Sequence, residues 1–522
     1  MFSFLKWIGK AFLIISNIFL RSGNFLIKVS SFLNYLSLRM ILTLSNLERV
    51  RFVLYKVVRI AFHSFFYLTK KSKKEIEEKL NDLISNYQNF LKPQKKESAT
   101  HMFLYVFPEL VRKNGLEGSL PFLDIYYKFF PSPEVRFMKD LATYYKNKRG
   151  LLIEKASENS CTNKKVMAPL FINISMWGKE YSNTFLKYMA PSLLAKGNLP
   201  EISKTRQIFL QLFCDEEVST TIKNSSIFQE LSIYSTPTLH IINQELFFNQ
   251  KKMVSHHCKQ NAKYFIYGIT QSLGAQEAIA RKGYISFLNS DTPLAQNALS
   301  TSIKFMEKGK IGVFTNSFRC NLDSIKADLE SYFTKDRKSL EIPPNDFSYL
   351  QIKHIHPSAL RRVVSRKTEY FNACPQLLFF NRKELVSRSL HYHPFMISHK
   401  LLDKFKLDTC FPLDGEIPTL IGNAKELFES IEVVEESRTV GIFELSSSET
   451  EPPNKFLPAF NTYPQLKMTV QNFLQKRELS AGERYFFSKR TRYISNHEGM
   501  QKELERLFTD AICDDKFLSE LS

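Results

Sequence analysis

The chain has 522 residues, of which 43% are hydrophobic and 24% are charged, and its net charge is +20. This composition is that of a globular protein with a sizeable core, and the length allows about two to four domains. Seven widely spaced cysteines without a C-x-x-C pair argue against a disulfide framework. The sequence also has no P-loop, dinucleotide-binding, nucleophile-elbow or H-E-x-x-H signature.

Residues 1–92 are predicted to form a basic, amphipathic helical region. Residues 1–74 hold 13 Lys or Arg and one acid, Glu48, so they carry +12 of the net charge of +20. Polar positions recur at the helical period in two stripes, Lys6–Ser31 and Arg49–Lys74, between Phe, Leu, Ile and Val residues. The expected partner is a membrane surface with anionic lipid, and nucleic acid is an unlikely one. A hairpin packed on the protein or on a partner, a membrane span and a signal peptide are the alternatives.

Three further regions follow in the chain. Residues 93–166 are predicted to be a helical connecting module, residues 167–445 an α/β domain, and residues 446–522 a linker with a helical C-terminal tail. In the α/β domain, strands are expected at 170–176, 208–214, 239–242, 284–288 and 311–315. Helices are expected at 179–194, 217–231, 251–281 and 292–308. This alternation predicts a mostly parallel sheet with flanking helices.

Ligands of such sheets bind at the carboxyl ends of the strands, so the first polar residues after each strand are the candidate site. These residues are Trp177, Asp215, Asp291 and Asn316. Thr292 and Pro293 predict that a helix starts directly after Asp291. The Asp291 carboxylate suits a divalent cation, Mn²⁺ or Mg²⁺, that bridges the phosphates of a nucleotide diphosphate. The alternative is an acid that helps to cap the helix.

The block Tyr284–Leu299 resembles the Asp-containing strand end of GT-A glycosyltransferases. A wider stretch, roughly 168–445, resembles a family of bacterial glycosyltransferase-like proteins that use a nucleotide-sugar donor. The matching pieces are Met176–Tyr181, Pro191–Pro200, Ser290–Asp291, Gly312–Arg319, His391–Pro394 and Glu435–Thr439. The resemblance implies that residues 167–445 form a GT-A-like nucleotide-sugar domain, with the amphipathic helical region before it.

The resemblance also implies roles for individual residues. Trp177 and Gly178 are expected near the nucleotide base, Asp215 near the end of the second strand, and Asp291 at the diphosphate and its metal ion. The chain departs from the paired acids of a D-x-D motif, because position 289 is Asn. A single Asp holds a metal ion weakly unless His391 or His393 helps, so metal-independent transfer with Arg319 or a lysine on the phosphates stays open.

Two further segments offer a catalytic base. His391 and His393 lie on one face of an extended segment, where an imidazole suits a general base or a metal ligand. We assign His393 as a candidate base and His391 as a candidate metal ligand; packing histidines are the alternative. Asp414, in a Pro-flanked loop, is a second candidate base, and a simple turn is its alternative.

Together these features predict a glycosyltransferase that moves a sugar from a nucleotide-sugar to a glycan, lipid or protein acceptor. It is expected in the cytoplasm, peripheral on the inner face of a membrane. One alternative is a secreted bacterial effector that glycosylates host targets. The other is a non-enzymatic, membrane-associated scaffold with a degenerate transferase domain.

Overall fold

The structure is a computed structural model. It describes residues 102–129, 131–158, 167–253, 255–364, 371–372, 376–381, 384–390, 392–404, 409–413, 416–417, 421, 425–447, 459–460, 481–507 and 516. The chain divides into two compact units, Met1–Phe90 and Leu91–Ser522, and all described residues belong to the second. The expected amphipathic helices of 1–92 therefore lie outside the described residues. Among the helices that are described, none is both long and apolar enough to cross a membrane.

The described strands and helices alternate through most of the chain. The strands are β1 (Leu170–Met176), β2 (Ile208–Cys214), β3 (Thr236–Ile241), β4 (Tyr284–Asn289), β5 (Gly312–Thr315), β6 (Arg319–Asn321), β7 (Phe371–Asn372), β8 (Gln376–Asn381), β9 (Glu384–Ser389), β10 (His393–Ser398), β11 (Ile431–Val433), β12 (Glu444–Ser446), β13 (Ala459–Phe460) and β14 (Thr491–Tyr493). The helices up to β4 are α1 (Phe107–Gly118), α2 (Leu120–Phe129), α3 (Pro133–Glu158), α4 (Lys179–Thr184), α5 (Ala190–Leu193), α6 (Leu199–Ile202), α7 (Glu216–Lys223), α8 (Ser226–Tyr234), α9 (Gln244–Lys252) and α10 (His256–Ala280). Those after β4 are α11 (Ala298–Glu307), α12 (Leu322–Leu329), α13 (Pro344–Lys353), α14 (Pro357–Leu360), α15 (His399–Lys404), α16 (Ala481–Ser488) and α17 (Met500–Leu507).

Seven strands form the central sheet, in the order β3-β2-β1-β4-β10-β5-β11. β1 pairs in parallel with β2 and with β4, and β10 alone runs antiparallel to its two neighbours. All residues of β1 and β2 are buried, as expected for parallel strands covered by helices on both faces. The predicted α/β class with a mostly parallel sheet and flanking helices is thus confirmed.

Helix α10 packs on the sheet through buried amide groups. The Asn173 side chain donates to the Thr270 carbonyl at 3.0 Å, and Gln211 donates to Glu277 at 2.6 Å. A Cβ atom at Gly274 would collide with the Asn173 side chain, so glycine is what permits this close approach. Because hydrogen bonds are directional, these bonds fix the position of α10 along the strands.

The N-terminal helical segment 102–158 shares a core with the α/β domain. The Phe265 ring of α10 lies 5.3 Å from the Phe103 ring and 5.6 Å from the Phe107 ring, between centroids. These rings belong to one buried cluster that also includes Ile242 and Leu246. The described part of the connecting module is therefore built into the domain that follows it.

The predicted start of a helix at Thr292 is wrong. α11 begins at Ala298, and its N-cap Asn297 has a left-handed backbone with φ 63°. Residues 290–297 instead form a loop, the β4–α11 loop, held by tertiary hydrogen bonds: the Leu294 amide donates to Ser192 Oγ at 3.0 Å and the Ala295 amide donates to the Gly441 carbonyl at 3.0 Å. These contacts override the local capping signal.

A buried amide clamps the same loop. The Asn198 side chain donates to the carbonyls of Ser192 and Ala295 at 2.9 and 3.1 Å, and it accepts from the Leu299 amide at 3.1 Å. Asn198 is fully buried, so its three hydrogen bonds have no competition from water. The segment 191–200, singled out in the sequence for its motif, thereby fixes the loop that carries Asp291.

Candidate functional site

The carboxyl ends of β1, β2, β4 and β5 meet at one edge of the sheet, here called the carboxyl edge. Because these strands are parallel to one another, the residues that follow them lie on the same side of the molecule. β10 runs the opposite way, so its first residue, His393, begins at this edge. The structure therefore brings Trp177, Gly178, Asp215, Asp291 and His393 to the carboxyl edge.

Asp215 ties the first two strand ends together. Its Oδ1 accepts from the Val218 amide at 2.8 Å and thereby caps helix α7, while its Oδ2 accepts from the Gly178 amide at 2.9 Å. Gly178 has φ 83°, a conformation that favours glycine. Asp215 therefore orients the loop after β1, and it follows directly after β2, the second strand, as the sequence indicates.

Trp177 forms an apolar surface beside this link. Its ring is partly buried and lies 5.7 Å from the Phe247 ring of α9, between centroids. The two ring planes are tilted by 48° and pack against a buried cluster, and the exposed part of such a ring is a face on which a nucleobase can stack. Phe247 was not singled out in the sequence, because nothing marks one Phe among 46 as a neighbour of the β1 loop.

Asp291 lies on the β4–α11 loop at the end of β4. Its backbone carbonyl accepts from the Leu445 amide at 2.8 Å, which holds the loop against β12. Asp291 is partly buried. A capping role for this acid is wrong, because α11 begins only at Ala298.

A chain of side-chain hydrogen bonds runs past Asp291. The Tyr267 hydroxyl donates a short hydrogen bond to Asn289 Oδ1. Asn289 Nδ2 then donates to Glu444 Oε1 at 3.3 Å, and Arg319 Nε donates to Glu444 Oε2 at 2.8 Å. Glu444 and Arg319 face each other because β12 and β6 pair in parallel with these two residues in register.

The two carboxyl groups of this site titrate differently. Burial and the nearby Glu444 carboxylate raise the pKa of Asp291 to about 7, against the opposing charges of Arg319 and Lys263. Burial alone would also raise the pKa of Glu444, but Arg319 donates to it, and together with Arg362 and His393 lowers that pKa below its usual value. Glu444 is thus ionised near neutral pH, while Asp291 binds a proton more readily than an exposed Asp.

The candidate bases are only partly described. His393 is partly buried, and its Nε2 lies 2.6 Å from the Phe287 carbonyl, so that nitrogen carries the proton and donates. His391 and Asp414 lie outside the described residues. Glu416, two positions after Asp414, pairs with Arg112 at 3.5 Å, and burial raises its pKa.

Asn316, which follows β5, serves the fold rather than the edge. Its Nδ2 donates to Ser387 Oγ at 2.8 Å, and its Oδ1 accepts from Gln376 at 2.9 Å. It is buried, with both polar atoms of the side chain engaged. Its place after a strand therefore has a structural explanation.

The donor set does not fit a metal site well. The described residues contain no group of three or more His, Cys, Asp or Glu side chains placed to hold a metal ion. At the carboxyl edge, Asn289 already bonds Tyr267 and Glu444, and Glu444 already bonds Arg319. Mn²⁺ or Mg²⁺ at Asp291 and His391 stays a prediction, and no chemical step is derived from it.

Glu444 and Tyr267 are the site residues that the sequence did not reveal. Glu444 is 155 positions from Asn289, and Tyr267 lies inside a helix, so no local motif connects either residue with the strand end. Comparison of the chain with protein-family models and with curated proteins found no match. The assignment of a function therefore depends on the carboxyl edge and its side chains.

Proposed function

We propose that this chain is a glycosyltransferase that moves a sugar from a nucleotide-sugar to a glycan, lipid or protein acceptor. The observation that carries the proposal is the Asp291 carboxylate, which stands beside the Glu444–Arg319 pair at the end of the central strand β4. The proposed place of action is the cytoplasmic face of a membrane, reached through the basic residues of 1–92. A secreted effector with the same chemistry is the alternative for its location.

The sheet is compatible with the GT-A resemblance. If its seven strands are numbered in chain order, they run 3-2-1-4-6-5-7 across the sheet, and only the sixth strand is reversed. Ligands of mostly parallel sheets bind at the carboxyl ends of the strands, and the resemblance implies that the donor lies at the ends of the first and fourth strands. In this chain those ends carry Trp177, Gly178 and Asp291.

The charges at the carboxyl edge suit this chemistry. In sugar transfer, the acceptor oxygen bonds to the anomeric carbon as the bond to the diphosphate breaks, and negative charge builds on the leaving diphosphate. Arg319, which Glu444 holds in place and in part neutralises, is the cation that we assign to this charge. The acceptor proton goes to a base, for which His393 and Asp414 are the candidates.

A thermal-shift panel with UDP- and GDP-sugars, with and without Mn²⁺, tests the proposal. Binding of the donor to the folded chain raises the unfolding temperature, and Asp291→Asn should remove the part of this shift that depends on Mn²⁺, together with donor hydrolysis. Asp124→Asn is the matched control, because Asp124 is exposed and pairs with Lys139 in the N-terminal helical segment. A panel in which no nucleotide-sugar stabilises the chain contradicts the transferase and favours the scaffold.

A further inference from the structure

Helix α10 extends past the carboxyl edge at its N-terminal end. Near the middle of β1, Asn173 meets the helix at Gly274, whereas close to the end of β1 the Ser175 hydroxyl lies 2.5 Å from the Thr270 hydroxyl. One turn earlier in the helix, Tyr267 bonds Asn289, the last residue of β4. Helix positions before Tyr267 therefore lie beyond the strand ends.

Lys263 is the next residue on this face of the helix. It is four positions before Tyr267, a spacing that makes the two side chains neighbours on the helix surface. Its Nζ lies 3.4 Å from the Tyr181 hydroxyl and 5.1 Å from the centre of that ring. Lys263 is exposed, and within the described part of the chain it forms no ion pair.

Lys263 and Arg319 approach Asp291 from different elements. Lys263 comes from α10, whereas Arg319 comes from β6 and is held in place by Glu444. Hydrogen bonds through Tyr267, Asn289 and Glu444 connect these two elements at the end of β4, and both charges oppose the rise in the pKa of Asp291. The site thus combines two cations with the carboxyl groups of Asp291 and Glu444, and Lys263 is the cation without a carboxylate partner among the described residues.

We propose that Lys263 of α10 and Arg319 of β6 together bind the diphosphate of the donor, so that donor binding does not require a divalent cation. This inference rests on the proposed function and names the groups that hold its substrate. Arg and Lys both bind phosphate well, so the two cations can take the place of a metal ion, although Glu444 offsets part of the Arg319 charge. Asn289 and Glu444 are consistent with binding without a metal ion, because their side chains already form hydrogen bonds to other protein groups.

Calorimetric titration of the full chain with UDP, GDP and inorganic pyrophosphate tests the inference, each in EDTA and in Mn²⁺. The natural chain should bind the nucleoside diphosphates in EDTA. Lys263→Ala should weaken that binding about tenfold, or ~1.4 kcal/mol, while Lys263→Arg keeps it within about threefold. Lys308→Ala is the matched control, because it removes an exposed lysine at the opposite end of the β4–α11 unit and should change nothing.

Arg319 needs a milder change, because Arg319→Ala would leave the Glu444 charge without its partner. Arg319→Lys keeps the charge but loses the planar donor fork, and it should weaken binding about fivefold to tenfold.

Binding that appears only with Mn²⁺, or that is equal in the natural chain and Lys263→Ala, overturns the inference and leaves the transferase standing. If pyrophosphate binding depends on Lys263 but no nucleotide-sugar binds, the two cations keep their role in binding phosphate and sugar transfer is contradicted. A chain that binds none of these ligands contradicts both.

Discussion

The side-chain amide nitrogen of Asn289 lies 3.3 Å from a carboxylate oxygen of Glu444, although the residues are 155 positions apart. In a D-x-D motif, position 289 would carry the first acid. Here a carboxylate reaches that place from β12 instead, and an amide that can donate to it occupies position 289. The acid that the motif would have at position 289 is therefore replaced in space by Glu444, which lies far away in the sequence.

We first predict the effect of Asn289→Asp. A carboxylate would lose the donor to Glu444 and repel it, which should destabilise the fold by about 1–3 kcal/mol near neutral pH. Because Glu444 raises the pKa of the new Asp in the folded state, the loss should be largest at pH 8 and smaller at pH 5. Urea unfolding at both pH values measures this, with the exposed Asn114→Asp as control. An equal loss at both pH values would argue against the pairing.

The second prediction concerns the pH dependence of Asp291. Its pKa rises from 3.8 to about 7 on folding, so the folded state binds the proton more tightly and its stability falls as pH rises through that window. Asp291→Asn removes this dependence. The variant should therefore unfold at a higher temperature than the natural chain at pH 8, and the difference should disappear towards pH 4. Thermal unfolding across this range checks the sign; a variant less stable at pH 8 contradicts it.

The third prediction concerns the Arg319–Glu444 ion pair. Both side chains keep about a third of their surface exposed, at 34% and 31%, so water screens the pair in part. A double-mutant cycle with Arg319→Met and Glu444→Gln should give a coupling free energy of about 1 kcal/mol. Denaturant unfolding of the four proteins measures it. Lys204 and Glu201, an exposed pair 2.6 Å apart, should give a smaller coupling free energy. Equal coupling free energies would mean that water screens the Arg319–Glu444 pair as fully as an exposed pair.

The fourth prediction concerns the clamp on the β4–α11 loop. Asn198→Ala removes three buried hydrogen bonds and should destabilise the fold by about 2–4 kcal/mol. Asn198→Asp should also destabilise it, because a carboxylate cannot donate to the two carbonyls. Denaturant unfolding measures both, and the exposed Asn114→Ala should change the unfolding free energy by less than about 0.5 kcal/mol.

The fifth prediction concerns residues 1–92. Flotation of the full chain with liposomes that contain anionic lipid should retain the protein at low salt, and retention should fall as salt screens the lysines. Neutral liposomes serve as the control. Failure to float with anionic liposomes at low salt would contradict the interfacial interpretation and favour a hairpin packed on the protein.

The sequence predicted the sheet where apolar runs determine it. β1 and β2 were predicted with their observed bounds, because seven consecutive residues in each are buried in a parallel sheet. β10 was not placed in the sheet in advance, because its partners β4 and β5 are far away in sequence. The position of an antiparallel strand between them depends on tertiary contacts that no local period encodes.

Only the residues of the candidate site that directly follow a strand could be predicted from the sequence. Asp291 could be found because it follows a clear strand, and Gly178 and Asp215 for the same reason. The start of the next helix could not, because the Thr292–Pro293 signal is overruled by hydrogen bonds to Ser192 and Gly441. Glu444 and Tyr267 could not either, since their relevance arises only when β12 and α10 converge on β4.

Residues 481–507 are an integral part of the domain. β14 pairs with β9, Tyr493 donates to the Asn316 carbonyl at 2.9 Å, and the Phe486 ring lies 5.1 Å from that of Phe314. A shortened protein that ends near residue 447 would leave Phe314 and the Asn316 carbonyl without these partners. Such a fragment should aggregate, and any version made for crystallisation or assays needs to retain residues 481–507.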